Sequence, residues 1–283
     1  MLASKTQGER MKTQAERAKA FRALHERKGA FLIPNPFDGG TARMLEHMGF
    51  EALATTSAGF AYTTGQPDNT VSREATLAHL RAVVEAVDLP VSADLGNGFG
   101  DEPGTVVETL HLVVETGVVG GSIEDATGRP EQPVYEIGRA VERIRAAAES
   151  MRKLSFPFTL TARAENFLVG KADLADTIRR LQAYQEAGAD VLYAPGLVKR
   201  EDIAQIVRSV NRPVNVLGGM PGFSLTFEDL AALGVKRVSV GSALYHAAKA
   251  AFVRAALEMR ERGTFSFAAE GASAPNLSEL FRK

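Results

Sequence analysis

Eight short apolar runs, each followed by a stretch of helical character, predict a single-domain (β/α)8 barrel over the 283 residues of this chain. Three observations carry that prediction. The runs are often β-branched and apolar almost throughout, as suits a parallel sheet covered on both faces. A glycine-containing turn from helix to strand recurs at Met48-Gly49-Phe50, Thr116-Gly117-Val118, Glu186-Ala187-Gly188-Ala189-Asp190 and Leu233-Gly234-Val235. The first run leads into Pro34-Asn35-Pro36-Phe37-Asp38 and not into the G-x-G-x-x-G of a dinucleotide-binding sheet, which weighs against an open doubly wound fold.

In chain order, an N-terminal helix is expected at about residues 13–27, within an N-terminal segment 1–29 that precedes the barrel. Strands are expected near 30–34, 52–56, 90–94, 119–124, 158–163, 190–194, 213–217 and 237–240. Between them, 73–87 carries Leu77, Leu80, Val83, Val84 and Val87 at helical spacing, and 171–187 does the same through Leu174, Ile178, Leu181 and Tyr184. A C-terminal extension, 252–283, loses regularity after Gly263 and includes Ala274-Pro275-Asn276. It is expected to leave the barrel and pack on a neighbouring subunit.

Composition removes several function classes. The formal net charge of −1, with no basic or acidic block, gives neither nucleic acid nor an anionic membrane surface anything to recruit. No run approaches the roughly 20 apolar residues needed to cross a bilayer, and the first twenty residues hold no signal-peptide core. A cytoplasmic location is the expectation. The absence of cysteine excludes disulfides, thiolate zinc sites, iron–sulfur clusters and a catalytic thiol. All five histidines, His25, His47, His79, His111 and His246, fall on expected helices, which argues against a three-histidine metal centre.

In a barrel of this kind the active site lies at the C-terminal ends of the strands. Three successive strands end in Asp94, in Glu124-Asp125 and in Arg163-Ala164-Glu165, although strands disfavour acidic residues. Hard oxygen ligands without cysteine or strand-end histidine point to Mg2+ or Mn2+. Ser57-Ala58-Gly59 offers backbone N–H groups to an oxyanion; spacing alone equally allows a plain tight turn. Arg163 is the candidate anion partner, because a guanidinium grips carboxylates in a two-pronged way; an ion pair with Glu165 or Glu124 would read the same. Gly218-Gly219 and Gly241-Ser242 raise a rival reading, a phosphate site after the last two strands.

The segments Thr55-Thr56-Ser57-Ala58-Gly59, Gly65-Gln66-Pro67-Asp68, Val91-Ser92-Ala93-Asp94 with Gly98-Phe99-Gly100, Gly121-Ser122-Ile123-Glu124-Asp125, Thr161-Ala162-Arg163 and Gly234-Val235-Lys236-Arg237-Val238-Ser239 follow one another at successive strand ends. In that order the chain, from about residue 31 to 247, resembles the isocitrate lyase/phosphoenolpyruvate mutase superfamily. The resemblance implies a Mg2+-dependent enzyme acting on a 2-oxo acid or its enolate, and a tetramer built as a dimer of helix-swapped dimers. It implies a metal held largely through waters by Asp68, Asp94 and Glu124, a carboxylate held by Ser57, Ala58 and Gly59, and charge neutralisation by Arg163. Asn215 matches a polar substrate contact.

Three departures narrow the activity. The stretch from Ala126 to Tyr135 carries neither the cysteine loop of isocitrate and methylisocitrate lyases nor the lysine and asparagine of the mutases. Ser92 stands where many members have the first acid of an Asp-x-Asp pair. The expected activity is therefore a lyase or decarboxylase of a small 2-oxo or 2-hydroxy dicarboxylate, with Arg163, Glu124 and Asp68 as catalytic residues. The alternatives are a P–C bond hydrolase or mutase on a phosphonopyruvate-like compound, and a non-catalytic binder of 2-oxo acids. Tyr62, Thr127, Tyr135 and Tyr193 are the candidate proton donors, and the 126–135 segment is a candidate lid.

Overall fold

The structure, a computed structural model, describes residues 11–272 and 277–281. Ala274-Pro275-Asn276 and the first ten residues lie outside the described residues. The chain alternates strand and helix. The strands are β1 (Phe31–Leu32), β2 (Leu53–Ala54), β3 (Val91–Asp94), β4 (Gly120–Glu124), β5 (Ala126–Arg129), β6 (Gln132–Val134), β7 (Thr159–Arg163), β8 (Val191–Tyr193), β9 (Val214–Leu217) and β10 (Arg237–Ser239). The helices are α1 (Gln14–Glu26), α2 (Gly39–His47), α3 (Ser57–Thr63), α4 (Arg73–Ala86), α5 (Pro103–Val114), α6 (Ile137–Met151), α7 (Leu174–Ala187), α8 (Arg200–Ser209), α9 (Phe227–Ala232), α10 (Ala243–Arg262), α11 (Ala268–Ala272) and α12 (Leu277–Leu280).

Eight strands pair in parallel in the order β1-β10-β9-β8-β7-β4-β3-β2, an α/β sheet consistent with a TIM-type barrel. The two end strands are bridged just past β1, where the Ala54 N–H donates to Pro34 O at 3.1 Å. The Asn35 amide donates to Thr55 O at 3.0 Å beside it. All eight expected strands are present.

The residues alternate along each strand. Ala93, Ile123, Leu160, Ala162, Leu192, Val214, Val216 and Val238 join the apolar core shared with the surrounding helices. Ser92, Asp94, Ser122, Arg163, Tyr193, Asn215, Arg237 and Ser239 instead line a cavity inside the sheet. The expectation of strands apolar on both faces therefore needs correcting: the helix side is apolar and the interior is largely polar. At the N-terminal end, α1 closes the sheet with Ala18, Phe21 and Leu24 packed on Phe31, Ile33, Ala52 and Val119. Gly120 permits that plug, since a Cβ there would sit 2.8 Å from Thr159 O and 3.0 Å from Phe21.

Two elements differ from expectation. The 126–135 segment is a β-hairpin, β5 with β6, where a loop was expected. The expected start of the C-terminal extension, residue 252, lies in mid-helix, because α10 runs unbroken to Arg262 and ends at Gly263, where regularity was expected to be lost. Among the described residues no helix is long and apolar enough to cross a membrane.

Candidate active site

Arg163, the last residue of β7, gathers the acids at the C-terminal ends of the strands. Its Nη1 lies 2.9 Å from Asp94 Oδ1, its Nη2 3.2 Å from Glu124 Oε2 and its Nε 2.8 Å from Glu165 Oε1. Parallel pairing puts Glu124, Arg163 and Tyr193 side by side, and the Tyr193 ring centre lies 5.2 Å from the guanidinium carbon. Asp94 is fixed from several sides. Its N–H donates to Thr55 Oγ1 at 2.9 Å, its Oδ2 accepts the Ser57 N–H at 3.1 Å and its Oδ1 accepts the Ser122 hydroxyl at 3.4 Å.

Ser57, Ala58 and Gly59 form the first turn of α3, capped by Thr56. The Ser57 N–H is given to Asp94, and the Gly59 N–H donates to Thr56 Oγ1 at 3.2 Å. Only the Ala58 N–H has no partner among the described residues. Ser57 and Ala58 line the interior cavity and Gly59 does not. Gly59 is required for packing, because a Cβ there would stand 2.5 Å from Thr56 Cγ2.

The interior cavity measures about 180 Å³ and is bordered by Asp68, Asp94, Arg163, Tyr193, Asn215 and Arg237 among others. A second chamber of about 440 Å³ adjoins it and shares Thr55, Thr56, Ser57 and Asp94. Glu124 faces that larger chamber, which the β5–β6 hairpin covers through Thr127, Gly128 and Pro133. The structure thus brings together Ser57, Ala58, Asp68, Asp94, Glu124, Arg163 and Asn215 across two joined cavities.

Burial raises the Asp68 carboxyl, and the nearby Asp94 adds to it. Burial holds Glu124 well above the ordinary carboxylate range, against the pull of Arg163 and with Glu165, Asp94 and Asp68 pushing the same way as burial. Burial raises Glu165 too. Burial alone would lower Arg163, but Glu165, Glu124 and Asp94 outweigh it and hold the guanidinium well above its ordinary value. Asp68, Asp94, Glu124 and Glu165 therefore share one cation, a local surplus of negative charge in hard oxygens that fits Mg2+ or Mn2+. Among the described residues no three His, Asp or Glu side chains converge closely enough to hold an ion directly. Asp68, Asp94 and Glu124 fit an ion held through its waters, the manner of Mg2+, which dehydrates reluctantly.

The proton-donor candidates separate. Tyr62 packs against Tyr245 and His246 and lines neither cavity. The Tyr135 hydroxyl is committed to Asp101 at 2.5 Å, and burial with that bond pushes it up to about 12. Thr127 lines the larger chamber but donates its hydroxyl to Gln132 O. Tyr193 alone lines the interior cavity; burial pushes it up to about 12. At the rival phosphate site part of the donor set is already committed: the Val240 and Gly241 N–H groups both donate to Asn35 Oδ1 at 2.9 Å, and the Gly218 N–H donates to Ser239 O at 2.8 Å.

Sequence reasoning gave no role to three residues that shape the site. Thr55 orients Asp94. Asp125 accepts from the Glu165 N–H, Arg180 and Tyr184, tying β4 to α7. Arg237 lines the cavity and holds Asn215 at 2.9 Å. For Arg237 the available signal was a cation opening the short run Arg237-Val238-Ser239.

The family described as phosphoenolpyruvate phosphomutase matches residues 21–260. A crystal structure from Burkholderia cenocepacia J2315, provisionally named a lyase/mutase, is 59% identical with a TM-score of 0.93, covering 95% of this chain and 97% of that one. The 2-methylisocitrate lyase of Escherichia coli (strain K12) is 29% identical over 204 residues, 69% of this chain and 68% of that protein. Oxaloacetate acetylhydrolase in complex with its product oxalate has a TM-score of 0.85 at 27% identity, covering 95% and 94%. A phosphonopyruvate hydrolase solved with oxalate and Mg2+ has a TM-score of 0.82 at 25% identity, again covering 95% and 94%. With most of its length matched to one family and its acids gathered at the strand ends, this chain belongs to the phosphoenolpyruvate mutase/isocitrate lyase superfamily.

Proposed function

We propose that this chain is a Mg2+-dependent lyase or decarboxylase of a small 2-oxo or 2-hydroxy dicarboxylate, of the oxaloacetate or substituted-malate type. The observation that carries the reading is the gathering of Asp68, Asp94, Glu124 and Glu165 around the guanidinium of Arg163 beside a cavity of about 180 Å³. The interior cavity that Asp94 and Arg163 border, about 180 Å³, accommodates an acid of a few carbons. Relatives that act on oxaloacetate and on methylisocitrate support the substrate type.

In this reading Asp94, Asp68 and Glu124 hold the metal. When bound, Mg2+ would act as a Lewis acid on the keto group of the substrate. Ser57 and the Ala58 N–H receive the adjacent carboxylate. Arg163, kept charged by three acids, offsets the negative charge that develops as the bond β to the keto carbon breaks. Glu124, lining the larger chamber, and Asp68, lining the interior cavity, are also the carboxylates proposed to take or give a proton.

The test is calorimetry of oxalate, an enolate mimic, with and without Mg2+, followed by oxaloacetate turnover. Metal-dependent binding is expected, with turnover reduced at least about a hundredfold in Arg163→Ala or Asp94→Ala. Absence of oxalate binding in both conditions, or unchanged rates in both variants, would sink the reading. The phosphonopyruvate hydrolase relative favours a second one, P–C bond cleavage, which release of inorganic phosphate from phosphonopyruvate would reveal. Oxalate binding with no turnover of either substrate would leave a non-catalytic 2-oxo acid binder.

The same proposal includes a homo-oligomer. Helix α10 buries only Glu258 within its own chain, and Phe252, Val253, Leu257 and Met259 are exposed along it. A second copy of the chain, exchanging this helix, is the occupant that the family resemblance implies for such a face.

A further inference from the structure

Arg237 opens β10, four places from β4 in the strand order, with its guanidinium reaching Thr161 on β7, and nothing in the reading above uses it. It is 4% exposed. Its Nε donates to Asn215 Oδ1 at 2.9 Å, its Nη2 donates to Thr161 Oγ1 at 3.1 Å, and its Nη1 is buried with no hydrogen-bond partner. Among the described residues no carboxylate forms an ion pair with it, whereas Arg163, lining the same cavity, has three. Burial lowers Arg237 to about 10, so it stays a cation at neutral pH. A buried cation without a counter-ion is a costly arrangement in a folded protein, and a fixed cavity beside it is where a counter-ion would enter.

The guanidinium is also held in place. Asn215 and Thr161 accept from two of its nitrogens, and Asn215 is itself fixed by donating to Ser239 Oγ at 2.9 Å. Neutral acceptors orient the group without cancelling its charge, the state expected of a preorganised anion anchor. The cavity is lined by Ser57, Ala58, Asp68 and Asp94 and also by Arg237, Asn215 and Ser239. A molecule filling it borders both the acids and Arg237.

We propose that Arg237 is a specificity-determining residue that anchors the second oxyanion group of a doubly charged substrate, with Asn215 and Thr161 as its positioning residues. The inference rests on the 2-oxo acid reading of the site and deepens it. The substrate is a dianion whose acid groups are far enough apart to reach both the acids and Arg237. A carboxylate and a phosphonate share the required chemistry.

The experiment compares wild type, Arg237→Gln and Arg237→Lys by calorimetry with Mg2+ present, using oxalate, malate and phosphonopyruvate. Oxalate keeps both carboxylates beside the acids, so its affinity should change by less than about threefold in either variant. At least one longer dianion should weaken by about tenfold or more in Arg237→Gln, and by less in Arg237→Lys, which keeps the charge but loses the planar fork. Selective loss for malate identifies a carboxylate as the second group, and selective loss for phosphonopyruvate identifies a phosphonate. For whichever acid is turned over, KM should rise while kcat holds.

Equal weakening of oxalate and both longer acids would reduce Arg237 to a structural residue, and so would no weakening of any. Should Arg237→Gln melt below the assay temperature, the selectivity of Arg237→Lys decides by the same criteria. Failure of wild type to bind oxalate removes the underlying reading and this inference with it. Oxalate binding without selectivity in the variants overturns the inference alone.

Discussion

Two of the five histidines are buried and held neutral by the fold. His79 on α4 stacks on Phe60 with ring centres 3.9 Å apart, leaving Nε2 without a partner, and burial lowers it to about 4. His25 on α1 sits edge-on to Phe21 and Phe31, and burial lowers it to about 3. The unfolded chain protonates an imidazole near 6.5, so between that value and the folded one the unfolded state binds more protons. Stability contributed by the neutral ring is present above pH 6.5 and is lost as pH falls below it, at about 1.4 kcal/mol per pH unit for each residue. His79→Phe removes one titrating ring and keeps the stack on Phe60. Urea unfolding between pH 7.5 and 4.5 should therefore show a smaller acid-side loss in the variant than in wild type. Parallel pH profiles would refute this. The sequence placed these histidines on helices correctly. It also gave Asp94, Glu124 and Arg163, because a charge closing an apolar strand is visible without coordinates. Arg237 was visible as a charge at the start of its strand, but its lack of a counter-ion depends on contacts with β7 and β9 that no local pattern encodes.

Among the elements, the β5–β6 hairpin and the 97–100 turn form one clamped unit over the larger chamber. Arg143 on α6, 1% exposed, donates to Glu124 O, Asn97 O and Gly100 O, and its guanidinium lies 4.1 Å from the centre of the Tyr135 ring. Arg180 donates to Tyr135 O at 2.8 Å, and Arg129 pairs with Asp101 at 2.7 Å. Any motion of the hairpin as a lid therefore pivots on a fixed Tyr135. Arg143→Met keeps the stem but strips three carbonyls of their donor. It should cost on the order of 3 kcal/mol in urea unfolding, since buried acceptors are left unpaired. It should also raise KM, because Asn97 and Phe99 line the chamber. A change under about 0.5 kcal/mol, the range of surface substitutions, would contradict the clamp. The hairpin was not legible in advance. Its turn, Pro130-Glu131, lacks the Asn-Gly or Asp-Gly signature, and its strands are only three and four residues long. Helix α3 was hidden similarly, since Ser57-Ala58-Gly59 reads as a turn until Thr56 is seen to cap it.

At the scale of the molecule, the repeated strand–helix alternation was legible because the helix-facing strand residues are apolar and α2, α4, α5, α6, α7 and α8 carry matching apolar residues. The polar interior was less so: runs such as Val91-Ser92-Ala93-Asp94 are too short for period-two alternation to stand out from an apolar average. The exposed apolar face of α10 was the least accessible feature, since such a face acquires meaning only once the rest of the fold is accounted for. Helix α10 runs 20 residues and buries one of them, while α1 buries five of 13. Phe252, 74% exposed, lies seven residues from Met259, and Val253 four from Leu257, spacings that put each pair on one side of the helix. Such a ridge is poorly matched to water, and an aromatic at its centre is the kind of anchor that dominates an interface. A charge at that position, buried against an apolar partner surface, would lose solvation with nothing to pair with it. Phe252→Glu should therefore shift the species measured by light scattering after size exclusion toward the monomer, with the far-ultraviolet circular dichroism of the fold retained. A wild-type chain that is already monomeric at micromolar concentration, or a variant that assembles like wild type, would show that α10 needs no second copy.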